Sequence, residues 1–430
     1  MNLGLGIGPT FIGPAFLWSP SRLRIGTRDV RDLTVRPNRL FSDTAGTTLI
    51  SGPGAEVAAM RDSRGVLVAT QATSAARLKY AVQPAVGVRN TLRENMAIAA
   101  TGWSIQNASG GAGALTVVDD AAAIAALSLP PGVRAYRVDN STGTGPSRFA
   151  MGAGNGTFDS AVNFTLSAFI RSESGSLTDY QIRTGFGGYP SLNVTTEFVR
   201  YSRTSTQRTS GTSNAADTLW VEVPAGAVAL IVLPQHELGL TLTAPQAVRT
   251  SGFDVSEAGV RAVHRLAYDG VDDFMDLATA WTSGAAYTLA AAHNLNDSAA
   301  FNSTAGTIFG NTGSTSGRFF RSTRSLSNIE TDTGNRRAAD TASVSGRVVD
   351  LARMIAGGEA FYRNGVLSTS FAENDGDPEP VFNTLGRSGT GYATGSFFSG
   401  LMVSDGDTPL TVAERQSIQR YMEYQRGTVA

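Results

Sequence analysis

Residues 162–170 read VNFTLSAFI. Val162, Phe164, Leu166 and Ala168 alternate with Asn163, Thr165 and Ser167. Successive side chains of a strand point to opposite faces, so a period of two turns one face of this segment onto a core and the other away from it. Similar runs recur on both sides: ALTVVD, RAYRVDN, YQIRTGF, LNVTTEFVRYSR, TLWVEV, GAVALIVLPQHEL and LTLTA within 89–255, then HRLAYDG, FMDLA, YTLAAAHNL, TIFGN, GRFFRS, VVDLARMIA, VFNTLGR and SFFSGLMVSDG. Gly, Ser, Thr and Asn clusters separate the earlier runs every 10–20 residues or roughly so, the spacing of a sandwich rather than of βαβ units.

Composition agrees. Glycine stands at 48 of 430 positions and only 17 % of residues are charged, which leaves few long helices with charged outer faces. The 41 % of hydrophobic residues suffices for real cores. The sequence contains no cysteine, so neither a disulfide framework nor a thiolate metal site is available. Formal net charge is −1, which gives the whole chain no electrostatic footprint for nucleic acid. Lys79 is the single lysine and arginine supplies the other cations. No window approaches the roughly 18 consecutive apolar residues of a membrane span. Residues 1–25 are apolar and rich in Gly and Pro, with no basic n-region or A-x-A-like site, so they read as an extended anchor segment and not as a signal peptide.

Two local signatures stand out in the last third. Asn364-Gly365 within EAFYRNGVLST predicts a hairpin with a type I′ turn. TPLTVAERQSIQRYMEYQRG predicts a helix with Thr411 as N-cap, Glu414 completing a capping box, Gly427 as the stop, and Val412, Ile418 and Met422 near helical spacing beside Tyr421.

The series RLAYDGVDDFMDL, YTLAAAHNL, EAFYRNGV, LGRSGTGYATGSFFSGLMVSDG and AERQSIQRYMEYQRG resembles the laminin-G/concanavalin-like lectin domains of phage tail and virion proteins. The stretch LFSDTAGTTLISGPGAEVAAMRDSRGVLVATQATSAARLKY is similar to the opening of the same proteins. Between them ENMAIAATGWS, NFTLSAFIRSESG, EFVRYSRTSTQRTS, LWVEVPAGAVALIVLPQHELG and PQAVRTSGFDVSEAG resemble a carbohydrate-binding-module-type jelly roll. The resemblances imply an all-β chain of two β-sandwich (jelly-roll/concanavalin-like) domains, one inserted into the other, with a short C-terminal helix. The expected segments are 1–25 (anchor), 26–88 (first part of the lectin-like sandwich), 89–255 (inserted jelly roll) and 256–430 (remainder of the sandwich and its helix). They further imply a virion surface protein, a tail fibre, head spike or tail-tip decoration, assembled in the bacterial cytoplasm and displayed on the virion exterior. It would contact host cell-surface polysaccharide, join other virion proteins through its N-terminal segment, and form a homo-oligomer with a trimer favoured. It would bind no nucleic acid and enter no membrane. A purely structural connector and a capsule-degrading spike are the alternatives.

Three histidines, His236, His264 and His293, sit in apolar strand-like runs and read as structural. No G-x-S-x-G, H-E-x-x-H or Walker loop appears, so no enzyme is expected. Glu197, Glu222 and Glu237 are the strand carboxylates whose spatial pairing could serve glycoside hydrolysis. For sugar binding, DYQIRTGFGGYPS places Tyr180, Arg183, Phe186 and Tyr189 around a Gly-rich turn, with Asn193 following. A flat ring stacks on the C–H face of a pyranose while polar neighbours take its hydroxyls. Trp103 and Trp220 read as core. No cofactor is expected beyond a structural calcium, for which the carboxylates are Asp375 and Asp377, with Asp269, Asp272 and Asp273 as a second acidic turn.

Overall fold

The computed structural model describes residues 25, 28–99, 102–151, 163–183, 190–205, 220–249, 252–282, 287–295, 307–312, 319–322, 327–330, 348–355, 358–371, 381–388, 391–404 and 410–427. Among the described residues the chain is all-β apart from short helical turns and one long helix near its C-terminus. It forms two compact units, residues 1–81 with 263–430, and residues 82–262. One sandwich is thus inserted into another. The anchor expected in 1–25 lies outside the described residues except for Ile25, which is buried.

Among the described residues the interrupted unit has two sheets of eight strands each and a two-stranded ribbon of Arg387–Ser388 with Gly391–Tyr392. Tyr287–Leu295 and Thr394–Ser404 lie at the centre of one. Consecutive residues of both are buried, Leu289 to Ala292 and Leu401 to Val403, because the second sheet covers one face and the C-terminal helix packs on the other. Phe309 of the second sheet meets Phe397 of the first edge-on, with ring centroids 6.5 Å apart. A Cβ at Gly400 would stand 2.8 Å from both rings, so only glycine fits beneath them. Lys79–Pro84 and Ala262–Asp269 are neighbours in the first sheet, so the chain leaves this unit and returns to it on adjacent strands.

The helix spans Val412–Arg426 and begins with the expected capping box of Thr411 and Glu414. It ends at Gly427, φ 93°. Ile418, Tyr421, Met422 and Gln425 form its buried stripe. Val412 does not belong to that stripe and is 59 % exposed. Six residues before Ile418, it sits well round the helix from the stripe at 3.6 residues per turn. The hairpin at Asn364-Gly365 has positive φ at both positions, 48° and 80°, as a type I′ turn requires.

Besides a two-stranded ribbon of Gln246–Val248 with Val255–Glu257, the described strands of the inserted unit, numbered within it, are β1 (Trp103–Asn107), β2 (Ala114–Val118), β3 (Ala135–Asp139), β4 (Ser147–Met151), β5 (Phe164–Ser174), β6 (Gln181–Arg183), β7 (Val199–Ser205), β8 (Trp220–Val223) and β9 (Val228–Leu238). These nine strands make a five-stranded sheet, β7-β5-β9-β3-β2, and a four-stranded sheet, β6-β8-β4-β1. Phe164, Leu166, Ala168 and Ile170 of β5 all face the core, as the alternation requires. Val162 lies outside the described residues. LTLTA is not a strand: Leu240 and Leu242 are exposed, and Thr243 turns back to hydrogen-bond the Glu237 carboxylate.

A trio of rings centres the core. Trp103 stacks on Phe149 at 4.4 Å between centroids, and Tyr136 tilts against both. Trp103 keeps its indole N–H satisfied on the Glu94 carbonyl, 3.0 Å away. The turns are tied by Asn140, fully buried, which donates to the Gly145 and Pro224 carbonyls and accepts from Ala112 N–H and Ser147 Oγ. The first residues of the insertion are zipped to its last: Arg89 Nη2 is 2.6 Å from Glu257 Oε2, and the Gln246 amide bridges Arg89 N, Gly87 O and Glu257.

Removing the middle ring should be costly. Phe149→Ala is expected to lower unfolding free energy by about 3–5 kcal/mol, the usual range for a buried phenylalanine. Urea denaturation followed by tryptophan fluorescence measures it, and a loss below about 1 kcal/mol would contradict the packed trio.

Candidate functional site

The centre of the five-stranded sheet is covered on both faces. Its inner face meets the four-stranded sheet across the Trp103–Phe149 core. On the outer side, Leu230 and Val232 of β9 pack in a second apolar cluster with Met96, Ile124, Val133 and Ala247. Every position of β9 from Val228 to Glu237 is accordingly buried. An extra residue in β9 opposite Ala168, with Leu233 at φ 44°, lets Leu233 join the outer cluster as well.

The four-stranded sheet has a different outer face. Its inward positions run Ile105, Phe149, Val221 and Ile182 in register across β1, β4, β8 and β6. The neighbouring register row is Gln106, Arg148, Glu222 and Gln181, and by alternation it points away from the core. Arg148 donates Nε–H to Glu222 Oε2 at 2.9 Å. Arg183, two positions beyond Gln181, brings Nη1 to 3.7 Å from the same oxygen and donates to Gln181 Oε1 at 3.1 Å. Glu222 is 8 % exposed beneath these two guanidinium groups, and Gln106 is exposed at the margin. The arrangement fixes cationic forks, a carboxylate and two amides in a line on rigid strands. Such a line can both donate to and accept from a polyhydroxylated ligand.

The sequence-predicted residues divide. Arg183 belongs to this face, and Glu222 meets it there. Asn193 is exposed just beyond the bridge that pairs Tyr180 with Leu192. Tyr180 is a correction: it is fully buried in the sandwich core and donates its hydroxyl to Ser172 Oγ at 3.3 Å. Its place on the inward side of the sheet removes it from any sugar-stacking platform. Phe186 and Tyr189 lie outside the described residues, as do Asp375 and Asp377. Gln106, Arg148 and Gln181 were not singled out from the sequence. Their positions follow from cross-strand register, which brings residues 106 and 222 into one row and leaves no local motif.

The strand carboxylates are held separately. Glu222 is on the four-stranded sheet, whereas Glu237 is buried in β9 of the other, beside Thr243 and 4.0 Å from Arg89. Glu197 is exposed. In the interrupted unit, carboxylate oxygens of Asp269, Asp272 and Asp273 gather within 4.8 Å of one another. Burial, and then the charges of Asp269 and Asp272, push the Asp273 carboxyl up to about 7, against a hydrogen bond from Asp269 N–H. Asp269 accepts from Val271 N–H within the same turn. Among the histidines, His236 is buried with Nδ1 2.7 Å from Thr91 Oγ1, and burial lowers it to about 4. His264 Nδ1 is 2.7 Å from the Tyr80 hydroxyl, and His293 is buried.

Solved structures with a partial likeness to this chain include carbohydrate-active proteins. One is a GH54 α-L-arabinofuranosidase soaked with a cyclic sulfate inhibitor, 14 % identical, covering 39 % of this chain and 42 % of its own, with a TM-score of 0.30. Another is domain 4 of a GH43 extracellular arabinanase from Geobacillus stearothermophilus in complex with arabinotriose, 12 % identical, covering 42 % of this chain and 82 % of its own, with a TM-score of 0.28. A third is the Trypanosoma rangeli sialidase, 9 % identical, covering 86 % of this chain and 64 % of its own, with a TM-score of 0.27. The chain thus spans less than half the length of the arabinofuranosidase it matches. No family model matches the sequence, and no curated relative does. The expectation of a non-enzyme is corrected by these neighbours, which include glycoside hydrolases and a sialidase. Missing local motifs do not exclude a hydrolase whose carboxylates pair only in space. At these scores the likeness assigns no reaction to this chain.

The buried histidine makes a pH prediction. His236 is held neutral in the fold, with its pKa lowered from 6.5 to about 4. The unfolded chain therefore binds the extra proton between those values, and stability falls as pH drops from about 6.5 to about 4, by some 3 kcal/mol or roughly 1.4 per pH unit. Below about 4 this contribution levels off. The difference in unfolding free energy between wild type and His236→Asn, followed from pH 7 to 4, should shrink by that amount. A pH-independent difference would show that burial does not govern this ring.

Proposed function

We propose that the inserted unit contacts glycan through the outer face of its four-stranded sheet, with Arg148, Glu222 and Arg183 as the central contacts. One observation carries the reading: this face carries an ordered row of guanidinium, carboxylate and amide groups in register across its strands. Sugar hydroxyls both donate and accept, and a line of fixed donors and acceptors suits adjacent hydroxyls on one chain. Strand-borne groups lose little freedom on binding, which lowers the ordering cost of a polar contact.

The resemblance to phage lectin-like domains extends the reading. The protein is then a virion surface component, on the exterior of the particle, that touches host cell-surface polysaccharide. Residues 1–25 dock it to other virion proteins, it assembles as a homo-oligomer with a trimer favoured, and a structural calcium sits at Asp375 and Asp377. Deleting residues 1–25 should leave a folded protein that no longer joins particles, and continued incorporation would place the anchor elsewhere.

Glycan-array screening of the full chain, followed by calorimetry on the best ligand, tests the sheet face directly. Arg148→Ala and Arg183→Ala are each expected to weaken binding by about tenfold, the scale of one lost charge-assisted hydrogen bond. Unchanged affinity in the double variant would discard this face. Assaying reducing ends in the same mixtures determines whether contact is followed by cleavage.

A further inference from the structure

The four strands of the smaller sheet of the inserted unit bear three charged side chains: Arg148 on β4, Arg183 on β6 and Glu222 on β8. All three meet at one point of its outer face. Arg148 Nε and Arg183 Nη1 converge on the same oxygen, Glu222 Oε2, at 2.9 and 3.7 Å. One carboxylate cannot neutralise two guanidinium groups, so the cluster keeps an excess of positive charge, although the whole chain has a formal net charge of −1. Exposure sharpens the imbalance. The side chains of Arg148 and Arg183 are 28 % and 19 % exposed, whereas that of Glu222 is 10 % exposed beneath them. A ligand that approaches this face therefore meets the cations before the anion.

The hydrogen-bonding inventory points the same way. A guanidinium brings only donors, so the two arginines tilt this face towards N–H groups, and the Gln181 amide oxygen already accepts from Arg183 at 3.1 Å. A neutral sugar would meet such donors with hydroxyl oxygens but would displace water from the excess charge without compensating it. A carboxylate offers acceptors alone. It is planar, as the guanidinium fork is, and the bond between them is charge-assisted and stronger than a neutral one. Strand pairing fixes the spacing of the two cations. Arg148 stands opposite Glu222 in the register of β4 with β8, and Gln181, two residues before Arg183, stands opposite Glu222 in that of β6 with β8.

We infer that this face selects acidic glycan, with the carboxylate of a uronic acid residue seated on Arg148 and Arg183 above Glu222. The inference rests on the sheet-face reading above and adds to it the charge class of the ligand. The test uses the full-length protein and oligosaccharides of galacturonate, mannuronate and glucuronate, each beside its carboxyl-reduced, neutral counterpart and a sulfated form of that counterpart, read by calorimetry. At least one acid is expected to bind about tenfold or more tightly than its reduced counterpart. That preference should shrink as ionic strength rises, because partly exposed charges are screened. Arg148→Gln and Arg183→Gln keep an amide donor and lose the charge, and each should cut the preference by about tenfold. The acid and its reduced counterpart are compared on wild type, so the main result stands even where a variant fails to fold. The inference is overturned if no acid binds, if a neutral glycan binds as tightly as every acid, if the preference persists in both variants, or if the sulfated form binds more tightly than the carboxylate. A neutral ligand whose affinity still falls in Arg148→Ala would sink the acidic character alone and keep the sheet face. Ligands that respond to neither arginine would sink the sheet-face reading together with the inference.

Discussion

The strand Val228–Leu238 is buried on both of its faces up to Glu237, and the layout of the inserted unit depends on that. A sandwich strand ordinarily turns one face to a partner sheet and the other to water. Here the sequence VALIVLPQHEL is apolar at nearly every step through Pro234, and a second cluster around Met96, Ile124 and Val133 caps the outer side. With its central strand enclosed, the five-stranded sheet carries its charged groups away from that strand's apolar stretch, as in Arg137 with Asp139 and Glu173, while the four-stranded sheet carries the arginine–glutamate row across its middle strands.

Arginine carries much of the polar structure. Arg89 ties the beginning of the insertion to Glu257, Arg148 and Arg183 flank Glu222, and Arg387 sits 4.7 Å from the Phe274 ring and 5.5 Å from that of Tyr392. Each role uses a planar, always-charged fork that can hydrogen-bond along its edge and stack through its face. Lysine, a flexible point charge, reproduces neither geometry. The near-absence of lysine thus has a structural use here, whatever gave rise to it.

What was legible in the sequence is what local chemistry decides. The alternation in FTLSAFI set both the element and the face of β5. The Thr411–Glu414 box and Gly427 set both ends of the long helix, and Asn364-Gly365 set a hairpin turn. Properties that depend on the partner strand were not legible. Tyr180 and Arg183 stand three residues apart in one aromatic, glycine-rich stretch, yet one is core and the other lies on the outer face, because only the pairing of β6 with β8 decides which side is inward. Gln106, Arg148 and Gln181 gave no local signal for the same reason. Val412 looked like a core position by residue type, and helical angle alone put it outside. The exclusion of catalysis failed in kind, since an acid–base pair made in space leaves no motif to find.

The chain leaves the interrupted sandwich on Lys79–Pro84 and returns on the neighbouring strand Ala262–Asp269, and inside the insertion Arg89, Gln246 and Glu257 clasp its two ends together. Because the ends of the insertion are close together, the host sheet does not need the intervening residues to complete its own pairing. In that sense the host is a socket. A different module with similarly spaced ends could occupy the same position, and recognition could diversify by exchange of the insert while the receiving sandwich kept its packing.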